Sequence, residues 1–197
     1  MWTSKETTAK KARGIYLVGF SGSGKSTIAK LIGERLRWPA CDLDDLIVER
    51  SGTAIPALFE REGEAGFRRR ETAALRAASD QDRFVVATGG GTIVQPENQN
   101  FMASKGWIIC LEAQPQTLLA RIQQQLKTSD PRAIRPLLDA GNPLEQIRSL
   151  KQTRQSAYRL ADWTVQTDLL SAEQVADEVV RAIEVLEHAD EAGSRRK

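Results

Sequence analysis

The sequence has very few of the residues that build metal sites or disulfide frameworks. Its 197 residues include two cysteines, Cys41 and Cys110, and a single histidine, His188. Both cysteines lie in apolar stretches and lack the paired spacing of zinc ligands, so we expect two buried free thiols. A histidine–cysteine metal site is excluded on the same ground.

Long apolar runs and a surplus of one charge are also missing. No segment reaches the ~18 consecutive apolar residues that a membrane-spanning helix needs. The 28 basic residues are almost balanced by 26 acidic ones, which leaves a formal charge of +2. Neither a membrane nor nucleic acid is therefore an expected partner, and we expect a soluble cytoplasmic protein. If the N-terminal residues were the remnant of a transit peptide, the compartment would be the plastid stroma instead.

A chain of this length can bury a substantial core, and one domain is the default for it. We predict a single domain over residues 14–188. A flexible N-terminal tail (1–13) and a flexible C-terminal tail (189–197), both polar and charged, should flank it. We also expect the protein to act as a monomer.

Short apolar runs alternate with segments of helical periodicity. The first run, residues 14–18, ends at a glycine-rich turn that leads into a helical pattern, and similar runs cover residues 84–87, 107–111 and 163–165. Because these runs lack the polar alternation of half-exposed strands, they predict a mainly parallel sheet covered by helices on both faces, which is a three-layer α/β fold. The last helix should begin at a capping box formed by Ser171 and Gln174.

Two segments interrupt this alternation. Residues 45–80 are helical in pattern but are broken by Gly52, Pro56 and Gly63, which predicts two or three short helices that could close over a ligand. Residues 127–142 are basic and rich in turn formers without a steady period, and they are long for an ordinary connection. We expect this second segment to form a mobile lid.

The glycine-rich turn fits a known phosphate-binding pattern. Residues 19–26 read GFSGSGKS, which matches GxxxxGKS/T, and they lie between an apolar strand and a helix as the pattern requires. The alternative is a plain turn from strand to helix, but the two flanking elements argue against it. The match predicts a site for the phosphates of a nucleoside triphosphate.

The residue types of this loop fit that chemistry. Glycines let successive backbone N–H groups and the helix N-terminus face an anion. Lys25 can reach the outer phosphates, and the Ser26 hydroxyl is placed to ligate Mg²⁺. The residues expected to bind the nucleotide are Gly22, Ser23, Gly24, Lys25, Ser26 and Thr27.

Two carboxylates follow the expected second strand. Alternate residues of a strand face the same side, so Asp42 and Asp44 could point together, Asp42 towards Mg²⁺ through water and Asp44 towards an acceptor hydroxyl. Alternatively, Asp44 or Asp45 could cap a helix that begins near Leu46. Both interpretations remain open from the residues alone.

Arginines and glycines complete the set of candidates. Three arginines, residues 68–70, follow Phe67 on a predicted helix, so only one or two can enter a pocket, where the guanidinium fork would suit a carboxylate. The usual alternative for such a run is a solvated face. Three glycines, residues 89–91, permit a backbone-lined wall or a flexible turn. Arg135 in the lid and Arg154 are candidates for bringing positive charge to the reacting groups when the site closes.

Together these segments resemble the shikimate kinase family. The resemblance runs from about residue 14 to 167 through GFSGSGKST, DLD with an isoleucine three residues after Asp44, SGTAIPALFEREGEAGFRRRE, ATGGG, RPLL and RxxxY. It implies a P-loop NTPase fold like that of nucleoside monophosphate kinases. It also implies ATP and Mg²⁺ as cofactors, and phosphorylation of shikimate to shikimate 3-phosphate in aromatic amino-acid biosynthesis.

The resemblance assigns roles to matching positions. It implies that Asp44 holds the acceptor hydroxyl and helps to take its proton, while Lys25 and Arg135 neutralise the transferring phosphate. Arg69 and Arg70 would then be solvated. The remaining roles are a carboxylate contact from Arg68, a backbone N–H from Gly90, a second carboxylate contact from Arg154 and a place for Asp42 in the outer shell of Mg²⁺.

The sequence departs from the family pattern in two places. PENQNF, after the three glycines, lacks an arginine often found there, and either Arg121 or Arg132 could stack on the adenine. Two other functions compete with shikimate phosphorylation. One is a sibling enzyme such as a gluconate kinase, against which Asp42, Asp44 and FRRRE argue, and the other is a nucleotide sensor without catalysis.

Overall fold

Five parallel strands form the centre of the molecule. The computed structural model describes residues 14–127 and 142–194. In the sheet the strands lie in the order β2-β3-β1-β4-β5, and every pairing is parallel. The strands are β1 (Ile15–Val18), β2 (Ala40–Asp42), β3 (Val85–Ala87), β4 (Trp107–Glu112) and β5 (Trp163–Gln166).

Helices connect these strands and cover both faces of the sheet. They are α1 (Lys25–Leu36), α2 (Leu43–Ser51), α3 (Ile55–Ala78), a 3₁₀ helix (Thr92–Val94), α4 (Pro96–Lys105), α5 (Pro115–Lys127), α6 (Pro143–Tyr158) and α7 (Ala172–Ser194). The predicted parallel three-layer α/β fold is confirmed.

The alternation of side chains along β1 shows why its sequence is apolar throughout. Tyr16 and Val18 are buried on one face against α2, α3, α4 and α6. Ile15 and Leu17 are buried on the other face against α1 and α7. A strand enclosed on both sides has no solvent-facing position, so its side chains are apolar except for the Tyr16 hydroxyl, which donates to Ser79 Oγ at 2.7 Å inside the protein.

The last helix begins where predicted and ends later than predicted. The Ser171 N–H donates to Gln174 Oε1 at 2.8 Å, and the Gln174 N–H donates to Ser171 Oγ at 3.3 Å, which confirms the capping box. α7 then continues to Ser194. The helix therefore includes residues 189–194, which the sequence alone assigns to the C-terminal tail.

The cysteines, the absence of a membrane span and the tails can also be compared with the structure. Cys110 is buried, but Cys41 is only partly so, and both are free thiols. In the two described ranges, no helix combines the length and the apolar character needed to cross a bilayer. The predicted N-terminal tail, residues 195–197 and most of the predicted lid, including Arg132 and Arg135, lie outside the described residues.

The segment expected to form several short helices does so. α2 ends at Gly52, which adopts a left-handed conformation, and Pro56 lies in the first turn of α3. Gly63 interrupts α3 with φ 66° and ψ −178°, a backbone conformation that only glycine adopts readily. α3 therefore consists of two helical parts joined at a kink.

An ion pair spans this kink. Arg70 donates from Nε to Glu62 Oε2 at 2.7 Å and from Nη2 to Glu62 Oε1 at 2.8 Å. Arg70 keeps 40% of its side chain exposed, as expected, and is also paired, because the turn at Gly63 brings Glu62 back alongside the second part of the helix. Arg69 is exposed, as expected.

Replacing Arg70 should make the fold less stable in a pH-dependent way. Hydrogen bonds from Arg70, and then Arg61, lower the pKa of Glu62 from its ordinary 4.5 to about 2. The charged pair therefore stabilises the fold above pH 4.5, and this stabilisation is lost as the pH falls through about 2. We expect Arg70→Ala to lower the Tm at pH 7, with the difference from the wild type shrinking in acid. Thermal melts followed by circular dichroism measure the effect, with Arg69→Ala as the matched control. An equal loss of Tm in both variants would contradict the assignment.

Candidate active site

The predicted phosphate loop joins β1 to α1. Gly22 and Gly24 have φ of 80° and 98°, a left-handed region in which a side chain would be strained. Gly24 is the N-cap of α1, and with no side chain it leaves the first N–H groups of the helix to face an anion. The buried Ser23 Oγ has no hydrogen-bond partner among the described residues. These features fit a bound phosphate group.

The lysine of the phosphate loop folds back and donates to carbonyl groups of the loop itself. Lys25 is the first residue of α1 and is buried, and its Nζ donates to the carbonyl oxygens of Gly19 at 3.0 Å and Phe20 at 2.8 Å. These contacts fix a positive charge at the centre of the loop. An anion bound here would meet that charge together with the helix N-terminus.

A cavity of about 380 Å³ opens beside the loop. Gly22, Gly24, Arg121 and Thr167 are among the residues that line it. The Arg121 guanidinium donates from Nη1 to Thr167 Oγ1 at 2.9 Å and from Nη2 to the Thr167 carbonyl at 2.6 Å. Of the two arginines considered for adenine stacking, Arg121 therefore lies in the wall of a cavity next to the phosphate loop.

The two carboxylates after β2 are arranged differently from the prediction. β2 ends at Asp42 and α2 begins at Leu43, so Asp44 is a helical residue and not an alternate position of a strand. Asp42 is the N-cap, since its Oδ1 accepts from the Asp44 N–H at 2.8 Å. The proposal that Asp44 or Asp45 caps a helix from near Leu46 is therefore also wrong.

Asp42 has a second partner in the phosphate loop. Its Oδ2 accepts a hydrogen bond from the Ser26 hydroxyl, which brings the two predicted magnesium-binding residues into contact. In the described ranges no group of three or more histidine, cysteine, aspartate or glutamate residues could hold a metal ion. A metal here would depend on Ser26, Asp42, water and phosphate oxygens, a donor set that suits Mg²⁺.

Several predicted residues share one small cavity. It measures about 70 Å³ and joins the phosphate loop to the second carboxylate, and its lining includes Lys25, Ser26, Asp42, Asp44 and Gly90. These residues come from the ends of β1, β2 and β3, which lie side by side in the sheet. The carboxyl edge of a parallel sheet is where such a meeting is expected.

Residues 89–91 form a wall made of backbone. Charged side chains approach it so closely that a Cβ added to Gly91 would lie 2.8 Å from Nη1 and Nη2 of Arg68, and one added to Gly90 would lie 3.1 Å from Arg154 Nη1. A Cβ on Gly89 would lie 3.4 Å from Asp44 Oδ1. The three glycines therefore form the common contact surface of three predicted acceptor-binding side chains.

Arg68 does not line the small cavity but reaches the wall from α3. Its Nη1 donates to Glu71 Oε2 at 2.8 Å and its Nη2 to Glu64 Oε1 at 3.3 Å. Burial acts to lower the pKa of the guanidinium, but the carboxylates of Glu71 and Glu64 outweigh it, and the pKa of Arg68 is raised. The buried Nε has no hydrogen-bond partner among the described residues.

Arg154 reaches the wall from α6, together with a tyrosine. The Arg154 guanidinium lies 5.7 Å from the centre of the Phe20 ring. Tyr158, four residues later on the same helix, donates from its hydroxyl to the Gly90 carbonyl at 2.8 Å. Burial raises the pKa of Tyr158 to about 12, although the positive Arg154 acts to lower it. The hydroxyl therefore stays protonated and keeps donating to Gly90.

Glu71 and Tyr158 belong to the site, although the sequence alone assigns neither of them a role. Glu71 is almost completely buried, pairs with Arg68 and accepts from Thr92 Oγ1 at 2.7 Å. Tyr158 holds Gly90. Each lies three or four residues after a predicted arginine, so helical spacing could have placed them on the same faces.

The arrangement suits phosphoryl transfer between a triphosphate and an anionic alcohol. Lys25, the first turn of α1 and Asp44 line the same small cavity. Arg68 and Arg154 provide positive charge beyond it, at the glycine wall. Transfer of this kind requires positioning and charge neutralisation more than covalent chemistry.

Comparisons with known proteins agree with this geometry. The family model described as shikimate kinase matches residues 21–184. The shikimate kinase of Rhodopirellula baltica is 38% identical over 173 residues, which cover 87% of this chain and 91% of that one. The shikimate kinase of Vibrio campbellii is 40% identical over 173 residues, or 87% and 96% of the two chains.

A solved structure extends the agreement to three dimensions. The shikimate kinase from Acinetobacter baumannii in complex with shikimate superimposes with a TM-score of 0.80 at 34% identity, over 89% of this chain and 95% of that one. Since sequence and fold match over most of their length, the chain belongs to the shikimate kinase family.

Proposed function

We propose that this protein transfers the terminal phosphoryl group of ATP to shikimate and releases ADP and shikimate 3-phosphate. The observation that carries the proposal is the meeting of Lys25, Asp44 and Gly90 around one cavity. Arg68 and Arg154 contact the same glycine wall from two helices. A triphosphate site, an acidic group and two arginines together suit an acceptor that is both an alcohol and a carboxylate.

On the nucleotide side, backbone N–H groups from Gly22 to Ser26 and the first turn of α1 would hold the phosphates. Thr27 would continue this contact into the helix. Lys25 would leave its carbonyl partners to neutralise the outer phosphates, and Arg121 would lie against the adenine. Ser26 directly and Asp42 through water would hold Mg²⁺, which when bound offsets the charge of the phosphates.

On the acceptor side, Asp44 would orient the hydroxyl and take its proton during transfer. Arg68 would bind the carboxylate through its fork of donors, which suits two oxygens, and Arg154 would add a second contact. The Gly90 N–H would donate a hydrogen bond to the bound shikimate. Arg135, from the segment between α5 and α6, would reach the transferring phosphate, and closure of that segment would exclude water.

The competing functions predict different chemistry. A gluconate kinase would accept a sugar acid, and a nucleotide sensor would bind ATP without turnover. Arg68 and Arg154 at the glycine wall suit the carboxylate of either acid, and the match to shikimate kinases over most of the chain supports shikimate over gluconate. Lys25 and Asp44 are competent residues at their positions, which argues against a sensor. We further propose that the protein acts in the cytoplasm as a monomer, in the synthesis of aromatic amino acids.

A coupled assay of ADP release tests the function directly. We expect turnover that requires ATP, Mg²⁺ and shikimate together, because the loop around Lys25 would hold the nucleotide while Asp44 and the two arginines would hold the acceptor. A panel of other hydroxylated acids and sugars, including gluconate, provides the comparison. ATP binding without shikimate-dependent turnover would favour the sensor, and faster turnover of gluconate would favour the sibling kinase.

Arg68→Ala should raise the KM for shikimate about tenfold or more, since loss of a charged contact costs about 1.4 kcal/mol or more. Arg69→Ala is the matched control, because Arg69 is the neighbouring residue and is exposed. Steady-state kinetics with ATP held at saturation measure the effect. An unchanged KM in Arg68→Ala would remove this residue from the site.

Gly91→Ala should weaken shikimate binding without unfolding the protein. The φ of Gly91 is −104°, which alanine accepts, but the added methyl would lie 2.8 Å from both terminal nitrogens of Arg68 and displace them. We expect a higher KM for shikimate with little change in Tm. In the Arg68→Ala background the same substitution should add little. Independent, additive effects would mean that Gly91 acts by another route.

A further inference from the structure

The side chain of Asn98 is completely buried, although it is polar and lies away from the small cavity. Asn98 belongs to the first turn of α4, and none of its surface is exposed. Its Nδ2 donates to the Thr92 carbonyl at 3.1 Å, and its Oδ1 accepts from Thr72 Oγ1 at 2.9 Å. Because a carbonyl can only accept, the contact with Thr92 fixes which way the amide points.

Thr92 connects this amide to the acceptor half of the site. While its carbonyl accepts from Asn98, its hydroxyl donates to Glu71 Oε1 at 2.7 Å, and the other oxygen of Glu71 accepts from Arg68 Nη1 at 2.8 Å. The Thr92 N–H also donates to the carbonyl of Gly89 at 3.2 Å. One residue thus joins the buried asparagine, the buried carboxylate and the glycine wall.

The consequences of losing Asn98 follow from the burial of Glu71. A buried carboxylate requires partners, and Thr92 and Arg68 are the partners that the structure gives it. If Thr92 shifts, Glu71 loses a hydrogen bond and depends on Arg68 for its remaining partner. The Arg68 guanidinium is then drawn towards Glu71 and away from the glycine wall. Three hydrogen bonds therefore link the orientation of Arg68 to Asn98.

We propose that Asn98 is a positioning residue for acceptor binding, which holds Thr92 so that Glu71 presents Arg68 to the shikimate carboxylate. The proposal rests on the proposed function. It assigns Asn98 an effect on shikimate affinity, through Thr92 and Glu71, in place of any contact with the substrate.

The neighbouring residue offers a matched control. Gln99 Nε2 donates to the Ile93 carbonyl at 2.7 Å, so it anchors the same 3₁₀ helix from the same turn of α4. The structure gives Ile93 no side-chain link to Glu71, because Ile93 is apolar. If Asn98 simply tied α4 to the 3₁₀ helix, removing it would lower the Tm more than removing the partly buried Gln99, without a selective rise in the KM for shikimate.

The test compares Asn98→Ala and Gln99→Ala with the wild type by steady-state kinetics for both substrates and by thermal melting. For Asn98→Ala we expect the KM for shikimate to rise about fivefold or more, with kcat and the KM for ATP within about twofold of the wild type. Gln99→Ala should keep the KM for shikimate within about twofold. A folded Asn98→Ala with an unchanged KM for shikimate, or an equal rise in Gln99→Ala, would overturn the proposal.

Thr72→Val is the second variant, in case Asn98→Ala does not fold. It removes the hydroxyl that donates to Asn98 Oδ1 and keeps the shape of the side chain. We expect a smaller rise in the KM for shikimate in the same direction, and no rise would overturn the proposal. A wild type without shikimate-dependent turnover would overturn the proposed function and this inference with it. An active wild type with unaffected variants would overturn the inference alone.

Discussion

The buried carboxylate of Glu71 is the constraint on which the arrangement around the glycine wall depends. An unpaired carboxylate in a protein interior costs several kcal/mol, so the surrounding structure must supply partners. Arg68 and Thr92 supply them, one from the same helix and one from the turn after β3. By satisfying Glu71, these contacts also fix the guanidinium of Arg68 beside the glycine wall.

The parallel sheet explains why groups so distant in sequence come together. The phosphate loop follows β1, Asp42 ends β2, and the glycines follow β3, and these three strands are neighbours. Their carboxyl ends meet at one edge, with α3 and α6 bringing arginines from the sides. The fold therefore places the proposed phosphate site beside the proposed acceptor site, which is what transfer between two bound molecules requires.

Much of this arrangement could be predicted from the sequence, because its signals are local. The phosphate loop lies within eight residues between a strand and a helix, and apolar runs such as that of β1 indicate burial on both faces. The kink at Gly63 follows from the same kind of local signal. The resemblance to the family implies further residue roles that spacing alone cannot assign.

The rest could not be predicted because it depends on tertiary contacts or on the exact end of an element. The sequence predicts that Asp44 follows Asp42 in the strand, but α2 begins at Leu43, which makes Asp42 both the end of β2 and the cap of the helix. Glu71 and Arg70 belong to a charged run typical of solvated faces. Thr92 is distant in sequence, and only the fold brings it to Glu71; Glu62 meets Arg70 only because the helix turns at Gly63.

The glycine wall also limits how this site can change during evolution. Pockets lined by side chains alter their specificity through single substitutions, since each new side chain reshapes the space. A surface of peptide groups with charged atoms already at contact distance offers no such freedom, because any added atom displaces Arg68, Arg154 or Glu71. New acceptors would therefore have to arise through α2, α3 and α6, and the segment from residue 89 to 91 should be among the slowest parts of the chain to diverge.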